Sequence, residues 1–260
     1  MISLTLKKIL LWFLKIIKFV IFGSTKKNHR KRDYILIPIY AIIIATFVRS
    51  IFFDHFHVPS GSMLNTLQIG DKIAISKSSY GYSRYSFPFG LAPINGRVMQ
   101  KHKPQRGDII VFKLPSNGRT NYVKRLIGLP GDIIRINNGI LEINGKTVKR
   151  MKIEENAEYS TFVETLPSGV RYNVLEYRDD AAADNMPLIF VPEDHYFFMG
   201  DNRDRSQDSR FTDVGFVHEE LLLGKVKRIV ISSPNSLLNP FTWHNIRGSR
   251  IWKDPYNLND

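Results

Sequence analysis

Residues 34–53 carry one charge, Arg49, and are otherwise Ile, Leu, Val, Ala, Phe and Tyr with single Pro38, Thr46 and Ser50. As a helix, twenty such residues cover about 30 Å, the thickness of a hydrocarbon core. This stretch divides the chain into a membrane-spanning helix and a following region that needs its own fold. Arg49 lies near one end, where it can snorkel to the headgroups. Pro38 lies near the other, where a kink is tolerated. A helix buried in a protein core is the competing reading. Lys26, Lys27, Arg30, Lys31 and Arg32 come directly before the stretch. The positive-inside rule then keeps residues 1–33 cytoplasmic and puts residues 54–260 on the far side.

The charge distribution agrees. The chain carries 37 Lys/Arg and 24 Asp/Glu. Residues 1–33 hold nine of the basic groups and one acid, leaving 28 and 23 for the rest of the chain. The excess therefore lies beside the apolar stretch, where anionic membrane lipid is the natural partner, and not on a nucleic-acid face. The absence of cysteine excludes thiol catalysis, disulfides and thiolate metal sites. Within residues 4–22, Lys7, Lys8, Lys15 and Lys18 fall in an arc of about 100° on a helical wheel. Such a helix suits the plane of the membrane. A second span and a cleaved signal peptide are the alternatives, the latter lacking a small-residue cleavage site.

Beyond residue 54 the pattern is β. Short runs rich in β-branched and aromatic residues occupy 72–76, 108–113, 121–127, 132–136, 140–143, 195–199 and 225–232, punctuated by Gly, Pro and Asn. Asn138-Gly139 between two Ile-rich runs reads as a hairpin turn. No strand–helix–strand alternation suggests a doubly wound parallel sheet. Residues 80–96, rich in Tyr, Ser, Phe, Pro and Gly, read as a long loop or irregular hairpin. Residues 150–190 are polar and read as a peripheral insertion.

Three runs carry possible chemistry. In P-S-G-S-M at 59–63, Gly61 lets another backbone approach closely. If residues 60–62 are extended, the Ser60 and Ser62 hydroxyls share one face. One could attack a carbonyl while the other, with the Ser62 N–H, donates to the developing oxyanion. A serine needs a base. His55 and His57 are close in sequence but have no recognisable acid partner, and no G-x-S-x-G elbow is present. Lys124 is the other option. Strand alternation places Tyr122, Lys124 and Leu126 on one face and Arg125 on the other, and apolar flanks would lower the amine's pKa. A snorkelling surface lysine is the plain alternative. The run 200–210, G-D-N-R-D-R-S-Q-D-S-R, could be a solvated charged loop or a hydrogen-bonded loop buttressing a site. It lacks the spacing of a calcium loop.

Taken together, these runs resemble the bacterial type I signal peptidases (leader peptidases), membrane-bound Ser/Lys endopeptidases. The likeness rests on the apolar stretch, P-S-G-S-M at 59–63, I-G-D at 69–71, R-G-D-I-I-V-F at 106–112, V-K-R-L-I-G-L-P-G-D at 123–132 and the run at 200–210. Asn65 departs from the proline that many relatives carry. The resemblance implies a mainly β fold: an antiparallel catalytic core with an inserted β region, assigned to 137–194, after an N-terminal transmembrane helix. It implies Ser62 as nucleophile, Lys124 as general base, Ser60 as oxyanion donor, Ser206 as the residue orienting Lys124, and Asp208 with Arg210 as a supporting ion pair. Phe56, Val58, Ile73 and Val123 become expected walls of the substrate pocket. Preprotein signal peptides are the implied substrates, cleaved without metal or cofactor at the extracytoplasmic face of the inner membrane. Two rivals remain. A tethered β-domain that only binds peptide strands would need neither Ser62 nor Lys124. A DNA-binding Ser/Lys autoprotease would need a helix-turn-helix and no membrane span.

Overall fold

Strands β1 (Phe53–His57), β2 (Asp71–Ser76), β3 (Ile109–Lys113), β4 (Asn121–Gly128), β12 (His195–Met199), β13 (Val217–His218) and β14 (Leu222–Ser232) form the main sheet of this mainly β protein. Its order is β1-β2-β14-β3-β4-β12-β13, with antiparallel neighbours throughout. The computed structural model describes residues 36–42, 53–87, 93–177, 183–236 and 240–257. Residues 1–52 and 53–260 form two units. In the first, residues 36–42 are helical. The expected amphipathic segment 4–22, the basic cluster and the rest of the apolar stretch up to residue 52 lie outside the described residues. Among the described residues, no helix is long and apolar enough to cross a membrane.

The central strand β3, Ile-Ile-Val-Phe-Lys, is buried at its first four residues because sheet neighbours and core side chains cover both faces. By contrast, β5 (Ile133–Asn137) alternates, with Ile134 and Ile136 buried and Ile133 and Arg135 exposed. It pairs with β6 (Ile140–Ile143) through the Asn138-Gly139 turn. Both turn residues have positive φ, 48° and 73°, which is what a two-residue hairpin requires. With β7 (Lys146–Thr147) and β11 (Met186–Phe190) they make a four-stranded sheet.

Residues 150–190, polar in sequence and read as a peripheral insertion, are largely strands. They hold β8 (Lys149–Glu155), β9 (Ser160–Thr165) and β10 (Arg171–Glu176) as a three-stranded antiparallel sheet, followed by β11. The polar sequence concealed this because some of the buried residues are themselves polar. Glu164 is 1% exposed and receives Arg203 and the Tyr172 hydroxyl. Nor is this region peripheral. Leu175 of β10 exchanges two backbone hydrogen bonds of 2.8 Å with the 200–210 loop, through Asp201 O and Arg203 N. The Tyr-rich segment also contributes to the core: Tyr80 is buried and donates to Asp108 Oδ2 at 2.6 Å. Phe53, expected to close the membrane helix, opens β1 instead.

Candidate active site

Ser62 lies in the turn between β1 and β2, where residues 60–62 bend instead of running extended. Met63 and Leu67, both fully buried, anchor this turn in the apolar cluster with Ile73, Ile75 and Val111. The Leu67 N–H donates to Met63 O at 2.7 Å, closing a helical turn immediately after the serine. The Ser60 and Ser62 hydroxyls still lie on one side, 3.4 Å apart.

Strand β4 brings Lys124 to this turn. Its Nζ is 2.6 Å from Ser62 Oγ, and the residue is 4% exposed. Burial lowers the amine to about 8. The charges of Asp208 and Asp201 pull it back up, and that of Arg210 pushes it down. Arg125, on the opposite face of β4, points into the protein. It makes a two-pronged ion pair with Asp201, 2.8 and 2.7 Å, and lies over the Tyr172 ring at 4.3 Å.

The 200–210 loop closes the third side. Gly200 has no side chain where a Cβ would sit 2.2 Å from Ser206 Oγ and 2.5 Å from Ser62 O. This close approach excludes any larger residue. Asp208 is fully buried, accepts the Gly200 N–H at 2.8 Å and pairs with Arg210 at 2.9 and 3.0 Å. Those charge-assisted bonds outweigh the burial that would raise its carboxyl, and hold it below the ordinary range. Ser206 is buried beside this group. Its hydroxyl helps to lower Asp208, but it makes no well-formed hydrogen bond among the described residues.

A cleft of about 340 Å³ opens onto Ser60, Ser62 and Lys124. Phe56, Ile73, Val111 and Val123 form its apolar walls, with Tyr122, Arg205 and Gln207 among the polar ones. Val58 is not part of it. Its side chain is 1% exposed and packs in the core, because the chain bends just after β1. Among the described residues, no group of three or more His, Asp or Glu could hold a metal ion.

The model of the signal peptidase, peptidase S26, family matches residues 31–231. The chain belongs to this family. Signal peptidase I of Rickettsia typhi is 37% identical over 262 residues, covering 91% of this chain and 98% of the relative. That of Rickettsia bellii is 35% identical over 268 residues, covering 91% of each. Among solved structures, a signal peptidase I from Enterococcus faecalis V583 shares 32% identity, covers 48% of this chain and 97% of its own, and has a TM-score of 0.30. The chain is thus an enzyme of the S26 peptidase type.

Sequence reasoning missed two residues of this candidate site. Asn202 is fully buried. Its backbone N–H donates to Ser62 O at 3.1 Å and its Nδ2 to Gly61 O at 2.9 Å, tying the loop to the serine turn. Asp201 sits next to it, 1% exposed, and accepts Thr66 Oγ1 at 2.5 Å as well as Arg125. In sequence, both disappear into a run of charged and amide groups. Asp201→Ala would strand Arg125 as an uncompensated buried cation, and breaking such a pair typically costs about 3–5 kcal/mol. We expect thermal and urea denaturation of the full chain to show a loss of this size. The double variant Arg125→Met/Asp201→Leu should recover much of it, because two apolar side chains leave no buried charge.

Proposed function

We propose that the chain is a membrane-anchored serine endopeptidase that removes signal peptides from exported preproteins. One observation carries this reading: Lys124 Nζ lies 2.6 Å from Ser62 Oγ, with its pKa lowered to about 8 by burial. Ser62 Oγ attacks the scissile carbonyl while neutral Lys124 takes its proton. The tetrahedral oxyanion accepts from the Ser62 N–H and the Ser60 hydroxyl. Collapse releases the mature protein's amine, which takes the proton from Lys124, and leaves the signal peptide as an ester on Ser62. Water, deprotonated by Lys124, hydrolyses that ester. Asp208 and Arg210, with Ser206, hold the lysine's surroundings.

Substrate adds as a strand. On the cleft side, β12 pairs with β4 only at Arg125, Leu126 and Gly128, so residues 121–124 have no strand beside them on that edge among the described residues. Small side chains at positions −1 and −3 then enter the pocket walled by Phe56, Ile73 and Val123. The test is conversion of a purified preprotein by the full chain in detergent micelles, with the new N-terminus read by mass spectrometry.

Ser60→Ala should lower kcat with KM nearly unchanged, because its hydroxyl serves the oxyanion more than the ground-state carbonyl. Removing such a donor costs about 10²–10³ in kcat. A raised KM at constant kcat would make Ser60 a substrate-binding group instead.

The same reading places residues 1–33 in the cytoplasm beside anionic lipid, a single span within 34–52, and the β unit outside the inner membrane. Protease added to intact spheroplasts should digest the β unit and spare the N-terminal segment. Protection of the β unit until lysis would reverse the orientation.

A further inference from the structure

Three arginines of the 200–210 loop and its surroundings are neutralised. Arg125 pairs with Asp201, Arg203 with Glu164 and Arg210 with Asp208. Arg205 is different. It is exposed, lines the cleft, and has no hydrogen bond or ion pair among the described residues. Its guanidinium lies over the Tyr177 ring at 3.9 Å, and Tyr177 is steadied by an N–H donated to Asp204 Oδ2 at 2.6 Å and by edge contact with Tyr159. The ring contact steadies the guanidinium, and its N–H groups, unpaired among the described residues, can meet a planar carboxylate. Among the described residues that line the cleft, none is acidic and able to compete.

We infer that Arg205 is a specificity residue favouring substrates with a carboxylate just after the cleavage site. The inference rests on the peptidase reading above. The apolar walls come from β1 to β4 and accept the small residues before the scissile bond. Arg205 and Gln207 flank Ser206 on the separate loop that packs against Ser62 O. They therefore meet the chain that continues beyond the bond, the start of the mature protein. A cation at the cleft attracts Asp or Glu there and repels Lys.

The test uses the full chain in detergent micelles and preproteins differing only at mature positions +1 to +3, each with Asp, Asn or Lys. For the wild type, kcat/KM should favour Asp over Lys by about three- to tenfold at one or more of these positions, the scale of an exposed ion pair. The preference should shrink as salt is raised. Arg205→Gln should bring the ratio near unity, and Arg205→Glu should invert it. Tyr177→Leu, which frees the guanidinium to move, should weaken the preference without reversing it. An Asp/Lys ratio that survives Arg205→Gln overturns the inference, as does a wild type indifferent to charge at all three positions. In both cases cleavage itself would leave the peptidase reading standing. Failure to cleave any member of the series overturns that reading and the inference with it.

Discussion

Ser62→Ala should yield a folded protein that cuts no preprotein. In the proposed mechanism this hydroxyl attacks a carbonyl in the cleft and loses its proton to Lys124, 2.6 Å away. Removing the nucleophile alone from a serine protease costs about six orders of magnitude in kcat, because base and oxyanion donors act through the bond it forms. The fold should stand. The turn is held by Met63 and Leu67 in the core and by Asn202 bonds to the Gly61 and Ser62 carbonyls, none of which uses the hydroxyl. The measurements are preprotein conversion and a thermal melt on the same preparation. Substantial conversion by a well-folded Ser62→Ala protein would remove Ser62 from the mechanism.

Legibility in the sequence followed where side chains and backbone agreed. Strands β3, β4, β12 and β14 were visible as β-branched or aromatic runs, and the β5–β6 hairpin as Asn-Gly between them. Strand β1 was not, because Phe53 ends an apolar run readable as helix and Asp54, His55 and His57 give the rest no β-branched run. Strands β9 and β10 were hidden for the opposite reason: Glu164 and Tyr172 are core residues that owe their burial to Arg203, 39 and 31 residues away in sequence. No local pattern announces such a partner. The same limit applied at the site. Alternation along β4 separated Lys124 from Arg125, but it could not show that Arg125 turns inward to Asp201. Val58 was expected in the cleft from the family resemblance alone, and the bend after β1 sends it into the core.

Lys124→Arg should be nearly as damaging as loss of the serine. A guanidinium stays protonated at any working pH and cannot accept the hydroxyl proton, so charge is conserved while basicity is lost. Lys124→Ala should fail as well, leaving Ser62 without a base. The pH profile separates this lysine from a histidine. Only the neutral amine is a base, and burial brings its pKa down to about 8. kcat/KM should therefore rise with pH, level off above about 8, and fall about tenfold for each unit below, as the protonated fraction grows. Without that burial the same limb would lie near the ordinary lysine value of about 10.4, and little enzyme would be active at neutral pH. An acid limb near about 6.5, with Lys124→Arg close to wild-type activity, would hand the base to an imidazole. His57, which lines the cleft, would be the first replaced. A limb near 8 that vanishes together with activity in Lys124→Arg leaves no such role for histidine.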